Sequence, residues 1–415
     1  MAATAVTSVL GLVFWAVAAR SYDTAEVGRS SAVISAATLL ATLAQLNLGN
    51  VFGRFLPAAL DRQRRMVATG TGAVLLMAVL LGSGYALMPA SAPLLEGRAE
   101  RLALPLVVAV LAVFALQDLV LVAVGRAVWV PVEGLLFATA KLGLLLAVAP
   151  LWPRGGILVA WVLPATVAVG VVSALLLPLR VLGRPGDGPP RGRLPGRRTL
   201  RESVAAEYAT GLVSTAVPFV LPLLVVHRLG LEANAWFSLP WMAATALNLL
   251  LWNIASAMLV RGASRPGEPA STSPARSSLT LALAVGTAGA VTLWLGGDLL
   301  LSLVGAEYAE QSRWMLRLAA SAAPATAVVV VWTTLARLGH RLVPLVVAQT
   351  LLGVGTIAGA AWLLGPLGIT GVGLAYLVTQ VVGGACMLPG VLRACRETPA
   401  AGEPDAEPAR AGSAA

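Results

Sequence analysis

The stretch from Gly11 to Pro57 reads GLVFWAVAARSYDTAEVGRSSAVISAATLLATLAQLNLGNVFGRFLP. It contains two apolar runs, each long enough to cross a bilayer, joined by a short polar turn. Polar groups are costly in hydrocarbon, so their presence within such runs indicates that the chain has a pathway or a partner for them. They include the amides Gln45, Asn47 and Asn50 and an arginine towards either end, Arg20 and Arg54.

The composition of the whole chain agrees with a membrane protein. Of its 415 residues, 58% are hydrophobic and 12% are charged, whereas soluble domains carry about 25% charged residues. Apolar runs recur along the full length at the size that a membrane-spanning helix needs. The net charge of +10 does not indicate nucleic-acid binding, because the arginines lie in alternate loops rather than on one face. We therefore expect an all-α integral membrane protein without a nucleic-acid partner.

Twelve helices follow from these runs. They are predicted at 2–20, 29–53, 66–88, 102–124, 131–150, 157–180, 203–227, 235–260, 279–301, 313–336, 343–364 and 370–392. Pro218 and Pro222 in the seventh helix and Pro324 in the tenth free backbone carbonyls and permit bends there. The resulting regions are an N-terminal six-helix lobe (1–181), a basic flexible cytoplasmic linker (182–202), a C-terminal six-helix lobe (203–392) and a disordered cytoplasmic tail (393–415).

The arginines also predict an orientation. With the N-terminus placed in the cytoplasm, most of the arginines fall in loops on the cytoplasmic side, as the positive-inside rule requires. Both termini are then cytoplasmic, and the chain is expected to be a multi-pass protein of the plasma or inner membrane.

The second half of the chain repeats the first. AARSYDTAEVG (18–28) aligns with VHRLGLEANAW (226–236), which puts Arg228 at 208 positions after Arg20. At that offset Gln45 falls on Asn253, and Arg54 falls one residue from Arg261. Both halves begin and end on the same side of the membrane, so the repeats are parallel and related by an axis along the membrane normal. This six-plus-six arrangement indicates a transporter.

Three segments carry a family resemblance: LGLVFWAVAARSYDTAEVG (10–28), LNLGNVFGRFLP (46–57) and LGPLGITGVGLAYLVTQVVGG (364–384). They resemble bacterial polysaccharide or O-antigen-type flippases for lipid-linked oligosaccharides, which belong to the multidrug/oligosaccharidyl-lipid/polysaccharide (MOP) exporter superfamily. The resemblance spans residues 2–392. It implies two lobes around a central cavity that opens alternately to each side, and a cargo of oligosaccharide on polyprenyl pyrophosphate, moved for surface polysaccharide or lipopolysaccharide biosynthesis without covalent chemistry. It also implies a glycan polymerase and glycosyltransferases as partners, besides membrane lipids, and we expect a monomer.

The arginines at the helix ends are candidates for binding the pyrophosphate. Arg54 and Arg261 are placed at cytoplasmic ends, where they either contact the entering cargo or only obey the positive-inside rule. Arg20 and Arg228 are placed at outer ends, against that rule, where they bind either lipid phosphate or the cargo. The amides Gln45, Asn50, Asn248 and Asn253 either contact sugar hydroxyls or hydrogen-bond between helices.

Asp118 and Lys141 flank the turn near residue 128 at similar depth. We expect them to form an intramembrane ion pair, with either a structural or a coupling role.

The two histidines, His227 and His340, lie far apart, and the two cysteines have no ligand spacing. Hence no metal, catalytic residue or cofactor is predicted, and the coupling ion, Na⁺ or H⁺, is left open.

Other classes of protein remain as alternatives. A cation-coupled multidrug exporter of the same superfamily generally carries an acidic residue in its first helix, and residues 2–19 contain none. A major-facilitator transporter is also built as six plus six, but DRQRR (61–65) lacks the glycines of that family's loop. A membrane-embedded polysaccharide polymerase or ligase usually has a long outer loop with catalytic residues, whereas the outer loops predicted here are short.

Overall fold

The computed structural model describes residues 2–45, 48–56, 63–174, 217–263, 274–339 and 342–396. Within these ranges every regular element is helical, in agreement with the apolar patterning. The helices are α1 (Ala2–Ser21), α2 (Thr24–Ala44), α3 (Leu48–Phe55), α4 (Gln63–Leu87), α5 (Arg98–Ala123), α6 (Trp129–Val148), α7 (Gly156–Val171), α8 (Val217–Leu229), α9 (Leu231–Ala263), α10 (Pro274–Ser302), α11 (Ala306–Ser321), α12 (Ala323–Leu338), α13 (Leu342–Leu367) and α14 (Ile369–Arg396).

The described helices occupy the twelve predicted positions. Nine of them are long and apolar enough to cross a membrane, and the pair α11 and α12, bent by 42°, passes the same test when taken together. The apolar part of α1 (Val6–Ser21) and helix α8 (Val217–Leu229) are shorter, and they lie where the first and seventh spans are predicted. Pro324 lies in the first turn of α12, directly after the bend, which confirms the predicted bending. The fold is that of a 12-helix membrane protein.

The continuous second helix predicted at 29–53 is wrong. Helix α2 begins earlier, at Thr24, and ends at Ala44, and the separate helix α3 begins at Leu48. Gln45 is a turn residue that caps α2, and residues 46–47 lie outside the described part of the chain. A pattern of apolar residues alone does not detect this interruption.

The two lobes are packed by the same pairings of helices. In the first lobe α5 contacts α2, α4 and α7, while α6 contacts α1 and α7. In the second lobe the α11–α12 pair contacts α9, α10 and α14, while α13 contacts α14, and Leu221 and Val225 of α8 share a buried cluster with Ala360 and Leu364 of α13. Each lobe therefore has the same internal arrangement, as the sequence repeat predicts.

Two glycines make equivalent turns in the two lobes. Gly155 precedes α7 with φ of 76°, and Gly368 precedes α14 with φ of 58°. These left-handed conformations are accessible to glycine without steric cost. They let the last helix of each lobe fold back against its neighbour, α6 or α13.

Candidate functional site

The lobes are joined at one end by the first two turns of α2 and α9. Asn234 donates a hydrogen bond from Nδ2 to the carbonyl oxygen of Gly28 at 2.8 Å, and the Oγ atoms of Ser31 and Ser238 lie 2.6 Å apart. A Cβ added to Gly28 would overlap the carbonyl oxygen of Leu231, so only glycine permits this backbone approach. We call this contact the closed end.

A network of charged side chains braces the N-terminal lobe beside the closed end. Arg29, 5% exposed, donates to Glu26 at 3.0 Å and to Glu100 of α5 at 2.7 Å. Glu26 also accepts hydrogen bonds from the Ser30 hydroxyl at 3.1 Å and from the Gly155 N–H at 3.0 Å. Because the buried charges are paired and hydrogen-bonded, they fix α2 to α5 and α7. The lobe can thus present Gly28 and Ser31 on a rigid surface.

Beside the closed end, beginning at Leu239, the same two lobes leave an apolar groove of about 600 Å³ between them. It is lined by α1 on one side and by α9 and α10 on the other, with Leu12, Val13, Ala243 and Leu250 among its walls. Asn253 is one of the few polar residues along it. We call it the interlobe groove.

The C-terminal lobe contains a second cavity, of about 400 Å³. Helices α9, α12, α13 and α14 surround it, and its walls include Trp241, Asn248, Thr326, Tyr376 and Gln380. Amides, hydroxyls and an indole thus converge inside this lobe. We call this cavity the C-lobe pocket.

The interior of the N-terminal lobe is charged instead. The Nζ atom of Lys141 lies 3.9 Å from the centre of the Trp161 ring, and about 5 Å from those of Phe14 (5.1 Å) and Phe137 (5.2 Å). An ammonium over aromatic faces is stabilised by their negative quadrupole. Lys141 is therefore held between α1, α6 and α7.

The ion pair predicted between Asp118 and Lys141 is not formed in this conformation. Within the described residues, Oδ1 of Asp118 and both carboxylate oxygens of Glu133 are buried without a hydrogen-bond partner. Lys141 is turned towards the aromatic rings. The prediction used equal depth along two helices, and depth does not determine the direction in which a side chain leaves its helix.

The other predicted residues are distributed over different parts of the molecule. Arg20 and Arg228 are exposed near the closed end, and neither is among the described residues that line the interlobe groove or the C-lobe pocket. Gln45 is half-buried at the end of α2. The helix positions of Asn50, Arg54 and Arg261 are described, but their side chains lie outside the described part of the chain. The structure therefore brings Asn248 and Asn253 to cavities, but not to the same one.

Sequence reasoning missed the residues of the closed end. Ser31 and Ser238 are 207 positions apart, within one residue of the offset between the repeats. Equivalent positions that touch must lie close to the axis relating the two halves. A search for small or polar residues at that offset would have found this pair.

Comparisons with known proteins concern the fold. No family model matches the chain, and no curated protein matches it. Among solved structures, an inward-facing multidrug resistance MATE family transporter of the MOP superfamily aligns with a TM-score of 0.66 at 14% identity, covering 94% of each chain. The lipid II flippase MurJ in an inward closed conformation aligns with a TM-score of 0.63 at 11% identity, covering 94% of this chain and 86% of that one. An outward-facing MATE structure gives 0.58 at 14% identity, covering 94% and 93%. The chain thus shares its fold with these solved transporter structures, which include multidrug MATE transporters and a lipid II flippase.

Proposed function

We propose that this protein is a flippase that moves polyprenyl-pyrophosphate-linked oligosaccharide from the inner to the outer leaflet by alternating access. Such a cargo has two incompatible parts, an anionic hydrated head and a long apolar tail. A protein that carries it must offer a polar interior to the head while the tail stays in an apolar environment.

The observation that carries this proposal is the interlobe groove. Its walls are almost wholly apolar, and they belong to both lobes, α1 on one side and α9 and α10 on the other. A polyprenyl chain matches such a surface, because burying apolar area is favourable at about 25 cal/mol per Å². Other residues of α9 line the C-lobe pocket, whose neutral polar side chains suit the sugar part of the head.

The side from which cargo would enter this conformation follows from the orientation predicted by the arginines. With both termini in the cytoplasm, the turn between α1 and α2 is outside, and so is the closed end. The conformation is then inward-facing, ready to accept cargo from the inner leaflet. In support, the inward-facing MATE structure aligns with a higher TM-score than the outward-facing one, 0.66 against 0.58.

The test is a transport assay with the purified protein in proteoliposomes. The probe is undecaprenyl pyrophosphate carrying a fluorescent oligosaccharide, and the readout is its exposure to a membrane-impermeant quencher. Protein-dependent movement between leaflets is the expected result. If the probe stays in its leaflet while the same vesicles move a cationic dye such as ethidium, the flippase proposal is wrong.

One observation favours a second function, a cation-coupled multidrug exporter. Asp118 and Glu133 place carboxylate oxygens without partners inside the N-terminal lobe. Buried carboxylates in membrane segments commonly serve proton or cation movement. The absence of an acidic residue from α1 is thus offset by acids on α5 and α6. Dye transport driven by an imposed Na⁺ or H⁺ gradient, and lost in Glu133→Gln, would support this function.

A further inference from the structure

The C-lobe pocket has a chemical character of its own. Of its lining residues in the described part of the chain, Arg337 alone carries a charge. Trp241, Asn248, Thr326, Tyr376 and Gln380 are all neutral, and each presents a group that can hydrogen-bond. The pocket therefore suits neither an isolated ion nor a lipid tail, since an ion requires a compensating charge and a tail would leave buried amides without partners.

The hydrogen bonds within the pocket leave capacity for a ligand. Asn248 donates from Nδ2 to the Tyr376 hydroxyl at 2.6 Å, and Thr326 donates to Oε1 of Gln380 at 3.3 Å. Among the described residues these are the only side-chain bonds of the two amides. The Asn248 carbonyl oxygen and the Gln380 NH₂ group remain as an acceptor and a donor on neighbouring helices, α9 and α14.

Aromatic rings provide the apolar part of the same wall. The Trp241 indole donates to the Pro218 carbonyl at 3.1 Å, and its ring meets that of Tyr376 edge to face, with centroids 5.3 Å apart. These contacts fix the orientation of the indole. A fixed aromatic ring beside free amide groups fits a molecule with both apolar C–H faces and hydroxyl edges, which is the chemistry of a sugar ring.

The charged residue lies at the mouth of the pocket. Arg337 is exposed near the end of α12, with its guanidinium 5.3 Å from the centre of the Trp252 ring. It follows Thr326 by eleven positions on α12, which corresponds to about 16 Å along a helix. Neutral groups inside and an arginine at the mouth match a sugar joined to a phosphate, because a guanidinium binds phosphate oxygens well.

We propose that the C-lobe pocket binds the saccharide part of a lipid-linked cargo, with Asn248 and Gln380 as hydrogen-bonding partners of its hydroxyl groups. This inference rests on the proposed flippase function and adds to it the place where the sugar is held. It makes the C-terminal lobe the part of the molecule that distinguishes a glycosylated carrier lipid from a bare one.

The test compares carrier lipids with and without a sugar. Full-length protein in lipid nanodiscs is titrated with undecaprenyl pyrophosphate and with the same lipid carrying N-acetylglucosamine, glucose or galactose. We expect at least one glycosylated probe to bind about tenfold more tightly than the bare lipid, as one or two added hydrogen bonds would give. Asn248→Ala and Gln380→Ala should each reduce that advantage about fivefold, while affinity for the bare lipid is unchanged.

Thr379→Val is the matched control. Thr379 precedes Gln380 on α14 but lines a different, apolar cavity, so this variant should bind every probe like the wild type. If Asn248→Ala is unstable, Gln380→Ala carries the test, because it leaves the Asn248–Tyr376 hydrogen bond intact. Equal affinity for bare and glycosylated lipids would overturn the sugar site while leaving the flippase proposal standing. Failure to bind any of the lipids would overturn both.

Discussion

The boundary between the lobes has two regions of opposite character, the closed end and the interlobe groove, and α9 contributes to both. At the closed end Asn234 and Ser238 hold α2 through a backbone contact and short hydrogen bonds. In the groove, α9 presents apolar residues such as Ala243 and Leu250 to a space that no described residue fills. One helix thus seals the lobes together at one end and keeps them apart along the groove.

The difference shows how such a boundary can switch. A hydrogen bond in a protein contributes about 1 kcal/mol net, so the few bonds of the closed end hold a state that a bound cargo can shift. The groove, in contrast, offers a cargo apolar surface area rather than specific hydrogen bonds. We infer that the closed end sets which state is populated, and that the groove binds the apolar part of the cargo.

The largest effect is expected from locking the closed end. Ser31→Cys with Ser238→Cys, in a background in which Cys386 and Cys395 are replaced by alanine, should form a disulfide on oxidation, because the two Oγ atoms are only 2.6 Å apart. Transport in proteoliposomes should stop and return on reduction. The single variant Ser31→Cys is the control. Full transport by the cross-linked protein would mean that transport does not require this contact to open.

The next largest effect is expected from blocking the close approach of the α2 and α9 backbones at Gly28. In Gly28→Leu the side chain would overlap the Leu231 carbonyl, and overpacking of this kind costs about 1–3 kcal/mol or more. Cross-linking of the cysteine pair should fall on the order of tenfold or more. Gly84→Leu serves for comparison, since its added Cβ meets nothing within 4 Å. Unchanged cross-linking in Gly28→Leu would contradict the closed end as described.

A smaller effect is expected at Asn234. Asn234→Ala removes the hydrogen bond to the Gly28 carbonyl, worth about 1 kcal/mol, so the ratio of closed to open state should fall about fivefold. The measurement is again the rate of disulfide formation between the cysteine pair. Asn253→Ala, on the same helix but in the groove, should leave this rate unchanged. A similar loss in both variants would point to a general effect on α9.

The sequence was sufficient to predict where the helices lie and that they form two similar lobes. Apolar runs predict the helices because a membrane span must satisfy its own backbone and present apolar side chains. The repeat around Arg20 and Arg228 predicts two lobes of like arrangement, and the pairings of helices agree with it. Pro324 marks the bend before α12 for a similar reason, because proline cannot donate the backbone hydrogen bond.

The sequence did not predict which side chains line the two cavities or point into the lobes. Lys141 and Asp118 lie at similar depths, but the side chain of Lys141 points towards Trp161, and only the rotation of α6 determines that direction. The two cavities are likewise formed by helices far apart in the sequence, so Asn248 and Asn253, five residues apart, belong to different ones. Sequence periodicity locates a face of a helix but does not identify its neighbour.

Filling the groove is expected to have the smallest effect on the closed end. It should instead weaken the binding of cargo selectively. Val13 lines it and is 40% exposed, so Val13→Trp should occupy part of the space for an apolar tail and leave the cysteine pair cross-linking normally. The lost contact area corresponds to about 1–3 kcal/mol, and affinity for undecaprenyl pyrophosphate should fall about tenfold. Val167→Trp, an exposed position on α7, should bind the lipid like the wild type. If Val13→Trp weakened dye transport but not lipid binding, the groove would serve a drug rather than a polyprenyl chain, since only the occupant of the groove responds to its volume.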